Sequence, residues 1–331
     1  MLPEILEQLA EIPATDCQLY FITRVCKEGQ NKRSKVLNRY DFKLHRVDIS
    51  PEIQELIFDL AKEKIGYHVT KETPIEEYAV IGDDPKTVLT YHAENNIKSF
   101  MDVINNQFGK ELTAITDLSE ITSDLWAYSI RIANEEFKLL TFTKIAPTQV
   151  VVDEDDNKKG MLKKMMALFS TDSKKLEMFK GEAISIDKNI DCIFYTDNFY
   201  IFSKNNFERI VNLEEEFKAT AKEVVNTLKK QNFIENIEVF DELIEINPAI
   251  HRKLVRIAKH PAFTQITPEM IDKMKEYANK DKLDLNVNDN KFVINGKDDV
   301  ELVLRFLCDY YKESTITGKV YGSYSGRELE P

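Results

Sequence analysis

Apolar positions recur every three to four residues through residues 3–12, PEILEQLAEI, and acids occupy the first turn, where the positive end of a helix dipole favours them. The spacing predicts a short amphipathic helix. Residues 17–26, CQLYFITRVC, and 42–49 read as two strands, the second alternating Phe42, Leu44, then Val47 and Ile49 with one slip. Between them runs a polar, basic connection, KEGQNKRSKVLNRYD. Ser50-Pro51 followed by Glu52 is a helix start, and EIQELIFDLAKEKI continues it with apolar residues at helical spacing. From 71 to 124 the pattern predicts mostly short helices and turns, with a turn at Gly82-Asp83-Asp84-Pro85 and a helical stretch from Asn96 to Phe108. WAYSIRIA and EFKLLTFTKI, separated around Asn134, predict a β-hairpin.

Pro147 and the following VVVDEDDNKKG break the composition, which places a boundary near residue 150. Beyond it, EAISIDKNIDCIFYTDNFYIFSK contains three short strand-like runs punctuated by Asp187, Asn189, Asp197 and Asn198. One long helix is expected over FERIVNLEEEFKATAKEVVNTLKKQN, where Ile210, Leu213, Phe217, Ala221, Val224 and Leu228 form a stripe. Further helices start at Asn247-Pro248 and Thr267-Pro268, a turn-rich stretch surrounds NDNKFVING, residues 298–311 form an apolar helix, and KVYGSY reads as a last strand. The expected fold class is α+β with two lobes, an N-terminal one over 1–150 and a C-terminal domain over 151–331. Each is expected to hold a small, mostly antiparallel sheet packed by helices.

The length of 331 residues suits about two domains, and 43% hydrophobic residues with ten Gly and ten Pro describe an ordered globular chain. Every apolar stretch is broken by a charge before the length needed to cross a bilayer, and the N-terminus lacks the basic region of a secretory signal. A cytoplasmic protein is the expectation. Cys17, Cys26, Cys192 and Cys308 form no CxxC pair and have no histidine at ligand spacing, so neither a disulfide framework nor a zinc site is indicated.

Signatures of common enzyme classes are missing: no GxxxxGK[ST], no GxGxxG after a strand, no GxSxG and no HExxH. His45, His68, His92, His251 and His260 stand apart from one another. No catalytic residue, metal ligand or cofactor is assigned. One nuclease-like arrangement remains an alternative, with Asp124 before one hairpin strand and Glu136-Phe137-Lys138 opening the next; acids of this kind hold Mg²⁺ while the lysine positions a water.

The net charge of −12 argues against nonspecific attraction to polyanions. Local charge runs the other way. Window 24–46 carries Arg24, Lys27, Lys32, Arg33, Lys35, Arg39, Lys43 and Arg46 for a net +6, and window 158–180 carries Lys158, Lys159, Lys163, Lys164, Lys174, Lys175 and Lys180 for +5. In HRKLVRIAKH, Arg252, Arg256 and Lys259 fall on one helical face, with His251 and His260 extending it. Spaced cations are what a phosphate backbone requires, because each neutralised phosphate releases a counterion. The expected contacts are Lys158, Lys159, Lys163, Lys164, Lys174, Lys175, Arg252, Arg256 and Lys259, with Arg33, Lys35 and Arg39 as a second tier. The alternative is that these lysine-rich stretches pair with nearby acids and only solubilise the chain. MLKKMMALF, rich in Met beside lysines, also suits a partner helix or a membrane surface, which leaves a third reading as an adaptor docking on a membrane protein.

Residues 181–217, GEAISIDKNIDCIFYTDNFYIFSKNNFERIVNLEEEF, resemble the hallmark stretch of the KwaB-like family of bacterial anti-phage proteins. The strand ending in Tyr200-Ile201-Phe202 leads to Phe207-Glu208 at a helix start. The terminal helix DVELVLRFLCDYY and the following Thr317, Gly318 and Tyr321 are similar to the family's C-terminal pattern, so the resemblance covers about residues 140–325. It implies a soluble component of the Kiwa defence system that binds DNA, forms a homodimer or higher oligomer, and works with KwaA, a small integral membrane protein. Such a partner would recruit it to the inner face of the membrane. The resemblance carries no catalytic residue across.

Overall fold

A computed structural model describes residues 1–26, 40–80, 86–93, 97–146, 149–151, 167–170, 175–178, 183–258, 266–314 and 316–323. Contacts gather into two compact units, the first holding most of Met1–Asn212 and the second the chain from Leu213 onward.

In the first unit, α1 (Leu2–Ala10) precedes β1 (Cys17–Cys26) and β2 (Tyr40–Val47), and α2 (Pro51–Thr70) follows. Ser50 caps α2 by accepting from Ile53 N at 3.5 Å, with Pro51 in the first turn. Next come β3 (Ile75–Glu77), β4 (Val88–His92) and α3 (Lys98–Asp102), which runs into a π-helical turn at Val103–Gln107. The hairpin of β5 (Leu125–Ala133) and β6 (Lys138–Lys144) forms as expected, and Asn134 Oδ1 accepts from Glu136 N and Phe137 N in its turn. Short strands β7 (Val150–Val151), β8 (Ala167–Ser170), β9 (Lys175–Met178) and β10 (Ala183–Ile184) lead to β11 (Cys192–Tyr195), β12 (Asn198–Ile201) and α4 (Lys204–Ile210). β8 places Ala167, Leu168 and Phe169 of the Met-rich segment on a strand; residues 161–166 lie outside the described residues.

Eight strands form one sheet in the order β2-β1-β5-β6-β11-β12-β4-β3, antiparallel except for β3 beside β4. It is larger than the small sheet expected. It draws strands from both sides of residue 150, because β6 pairs with β11 through Phe142↔Cys192. The sequence also offered no sign of β3 and β4, whose few residues are too short to show an alternating pattern.

Alternation sends successive side chains to opposite faces of the sheet. One face, with Leu19, Phe21, Tyr128, Ile130, Leu139 and Ile193, is buried with Leu2, Ile5 and Leu9 of α1 and Ile57, Phe58, Ala61 and Ile65 of α2. The other carries Phe42, Phe142 and Phe199 and packs against Phe100, Phe108 and Phe207. Phe142 lies 5.3 Å from Phe100 and 6.2 Å from Phe199 in tilted and edge geometries.

The second unit contains α5 (Leu213–Gln231), β13 (Ile234–Glu235), α6 (Glu238–Ile246), α7 (Pro248–Ala258) and α8 (Pro268–Lys280). Then follow β14 (Val287–Asn288), β15 (Lys291–Val293), α9 (Lys297–Leu307), β16 (Tyr311–Glu313) and β17 (Val320–Gly322). Leu228, Phe240, Ile250, Leu254, Phe292 and Leu304 lie in its core. The expected long helix over 207–232 is two: Asn212, at φ 59°, turns the chain between α4 and α5. The helix expected over 298–311 stops at Leu307, and Asp309 at φ 50° turns Tyr311 into a strand. A left-handed residue ends helical hydrogen bonding whatever the apolar periodicity beyond it. Among the described residues no helix is long and apolar enough to cross a membrane.

Candidate anion and nucleic-acid interface

One end of the large sheet gathers cations around Trp126, the chain's single tryptophan. The pairing of β1 with β5 slips between Ile22↔Ala127 and Thr23↔Leu125, so one step on β1 faces two on β5 and Trp126 is the extra residue. A bulge of this kind re-aims a side chain out of strict alternation. Trp126 accordingly shares its surroundings with Arg24 and Lys144, from the strands on either side. The Arg24 guanidinium lies 3.1 Å from the indole ring centre and the Lys144 ammonium 3.7 Å from it. Arg24 also lies 4.0 Å from the Tyr40 ring. Such contacts stabilise a cation through the ring quadrupole, more strongly when water is excluded.

Trp126 Nε1 donates to the carbonyl oxygen of Arg209, in the last turn of α4, at 3.1 Å. The Arg209 side chain is exposed, and its charge reaches Lys144. Burial, reinforced by Arg24 and Arg209, pulls the Lys144 ammonium down to about 8, and burial lowers Arg24 to about 10. Among the described residues no ion pair engages Arg24, Lys144 or Arg209. The carboxylate whose charge acts on Lys144 is Asp191, which is buried and occupied: it accepts from Lys144 N at 2.7 Å and Asn206 Nδ2 at 2.8 Å. Burial raises its own pKa despite those bonds. Among the described residues the three cations therefore stand without an ion pair.

The residues expected from sequence fare differently. Lys158, Lys159, Lys163, Lys164, Lys174, Lys259, Arg33, Lys35 and Arg39 lie outside the described residues, as does His260. Lys175 opens β9, paired with Ser170. Arg252 and Arg256 lie on α7, where Arg252 Nη2 donates to Glu214 Oε1 at 2.5 Å and the guanidinium sits 5.2 Å from the Phe217 ring. Lys253 on the same helix pairs with Glu301 at 3.3 Å. His251 does not extend a basic face: it is fully buried, its Nε2 donates to the Ile244 carbonyl at 2.6 Å, and burial lowers its pKa.

The nuclease alternative does not assemble from its three residues. Ala127↔Lys144 and Ala133↔Lys138 define the hairpin register, which leaves Asp124 at one end and Glu136 and Lys138 at the other. About eight residues of strand separate them, roughly 25 Å. Among the described residues no three His, Cys, Asp or Glu side chains gather as metal ligands. All four cysteines are free, and Cys17, Cys192 and Cys308 are buried.

Fold and site together define an α+β protein built on a broad, nearly all-antiparallel sheet with a cation-rich end beside its single tryptophan. The family model described as Kiwa protein KwaB-like matches residues 122–317, more than half of the chain, and the chain belongs to that family. Membership makes it a component of the Kiwa anti-phage defence system. No curated protein and no solved structure matches it.

Proposed function

We propose that the chain is a defence protein that binds DNA without cutting it, through clusters of basic residues, and that acts with a small integral membrane protein of the KwaA kind. The observation that carries the nucleic-acid reading is charge segregation: islands of +6 and +5 on a chain whose total is −12. Family membership supports the setting. The leading contacts are Lys158, Lys159, Lys163 and Lys164, followed by Lys174, Lys175, Arg256 and Lys259, with Arg33, Lys35 and Arg39 as a second group. Arg252 already serves Glu214, so its reversal has the smaller effect.

Lys158→Glu, Lys159→Glu, Lys163→Glu and Lys164→Glu combined are expected to weaken retention of every DNA sequence alike. They should also flatten the dependence of log affinity on log salt by about one unit for each phosphate no longer neutralised. Unchanged binding overturns the assignment of those lysines. Incubation of the native protein with supercoiled plasmid and Mg²⁺ or Mn²⁺ is expected to retard the plasmid and leave it intact; nicked product overturns the non-enzymatic part. The same reading expects a homodimer or higher oligomer by light scattering, and recruitment to the inner membrane face only when the membrane partner is co-expressed.

A further inference from the structure

We propose that the Arg24, Trp126, Lys144 and Arg209 cluster is a discrete binding site for the phosphate group of a phosphate ester. Two cations, from β1 and β6, face one indole, and the charge of Arg209, whose backbone carbonyl binds that indole, acts on Lys144; none of the three has an ion-paired partner among the described residues. Placing like charges together where they are partly desolvated is unfavourable unless an anion joins them. The indole and the Tyr40 ring offset part of that cost by facing the Arg24 guanidinium and, for the indole, the Lys144 ammonium. They do not neutralise it. Among the described residues Asp191 is the one carboxylate whose charge acts on Lys144; it is held by a backbone amide and by Asn206, and it is 1% exposed.

Geometry selects the class of anion. An arginine presents a planar fork of donors suited to phosphate oxygens, and Lys144 adds a point charge beside it. Arg209 is exposed to solvent, where an anion can meet it. The lowered pKa values of Lys144 and Arg24 agree with cations that lack a counterion. Its residues are other than the lysines at 158–164, so the two readings are tested by different variants. Its phosphate comes either from a free nucleotide or from a nucleic-acid backbone.

Because Trp126 is the only tryptophan, the emission of the whole protein reports on the cluster. Three titrations are compared: pyrophosphate, a 5′-deoxynucleotide, and a short single-stranded oligonucleotide. A saturable change in emission is expected. A response to pyrophosphate or the mononucleotide identifies a free phosphate ester as sufficient, whereas a response to the oligonucleotide alone identifies a backbone phosphate. Arg209→Ala, on an exposed side chain, is expected to weaken the response by about tenfold while the urea midpoint stays unchanged. Lys144→Met is expected to weaken it further. No saturable change with any of the three ligands overturns the proposal, as does a change of equal affinity in the wild type and in Arg209→Ala. The quadruple Glu variant at 158–164 should lose DNA retention yet keep the tryptophan response. Loss of both on that variant places the emission change at the lysines and overturns the site.

Discussion

His68 shows how one residue's neighbours set its chemistry. Its ring stacks on Phe202 at 4.7 Å and 10°, Nδ1 meets Thr73 Oγ1 at 3.2 Å, and Nε2 is buried with no hydrogen-bond partner among the described residues. Burial and nearby Lys64 hold its pKa down at about 4, against 6.5 for an unperturbed imidazole. Between those values the unfolded chain binds the extra proton and the folded chain does not, so stability rises with pH there and is lost as pH falls from about 6.5 towards 4. The difference in urea midpoint between the wild type and His68→Gln, measured at pH 7.5 and pH 5, is expected to shift against the wild type at the lower pH. An equal difference at both would refute it. Nothing near His68 in sequence announces this, because Phe202 reaches it only through the fold. The same holds for His251: helical spacing placed it on a basic face, yet the core took it.

Local signals were strongest at the scale of single elements. Proline beside Ser50 and Thr267, with each hydroxyl capping its helix, makes the starts of α2 and α8 legible from a few adjacent residues. The β11–β12 turn is a different case: Thr196 and Asp197 both adopt positive φ, 44° and 60°, in a two-residue loop. Both positions of such a turn favour Gly, Asn or Asp, and a β-branched threonine is strained there. Thr196→Asn is therefore expected to stabilise the protein by about 0.5–1 kcal/mol, read from chemical denaturation. A loss of stability would show that the Thr196 side chain contributes something beyond its backbone. Asn212 was equally local yet went unread, since apolar periodicity ran through it from Ile210 to Leu213 and hid the break between α4 and α5.

Across the whole first unit, the sheet is covered on both faces, by α1 and α2 on one and by an aromatic layer on the other. Phe142 sits in that layer among Phe100, Phe108 and Phe199. Phe142→Ala is expected to cost about 3–5 kcal/mol, measured by urea unfolding, because rings meeting it from α3, the end of the π-turn and β12 cannot all close over the void. The elements themselves were mostly written into the chain: helix starts, the β5–β6 hairpin and the family-like stretch around Tyr200 depend on neighbouring residues, and neighbours suffice to set backbone preference. Strand order, the width of the sheet and the convergence of Arg24, Trp126, Lys144 and Arg209 were not. They depend on which distant segments pair and on a bulge that turns one side chain, and a one-dimensional pattern holds no record of either until burial of the apolar faces has chosen the partners.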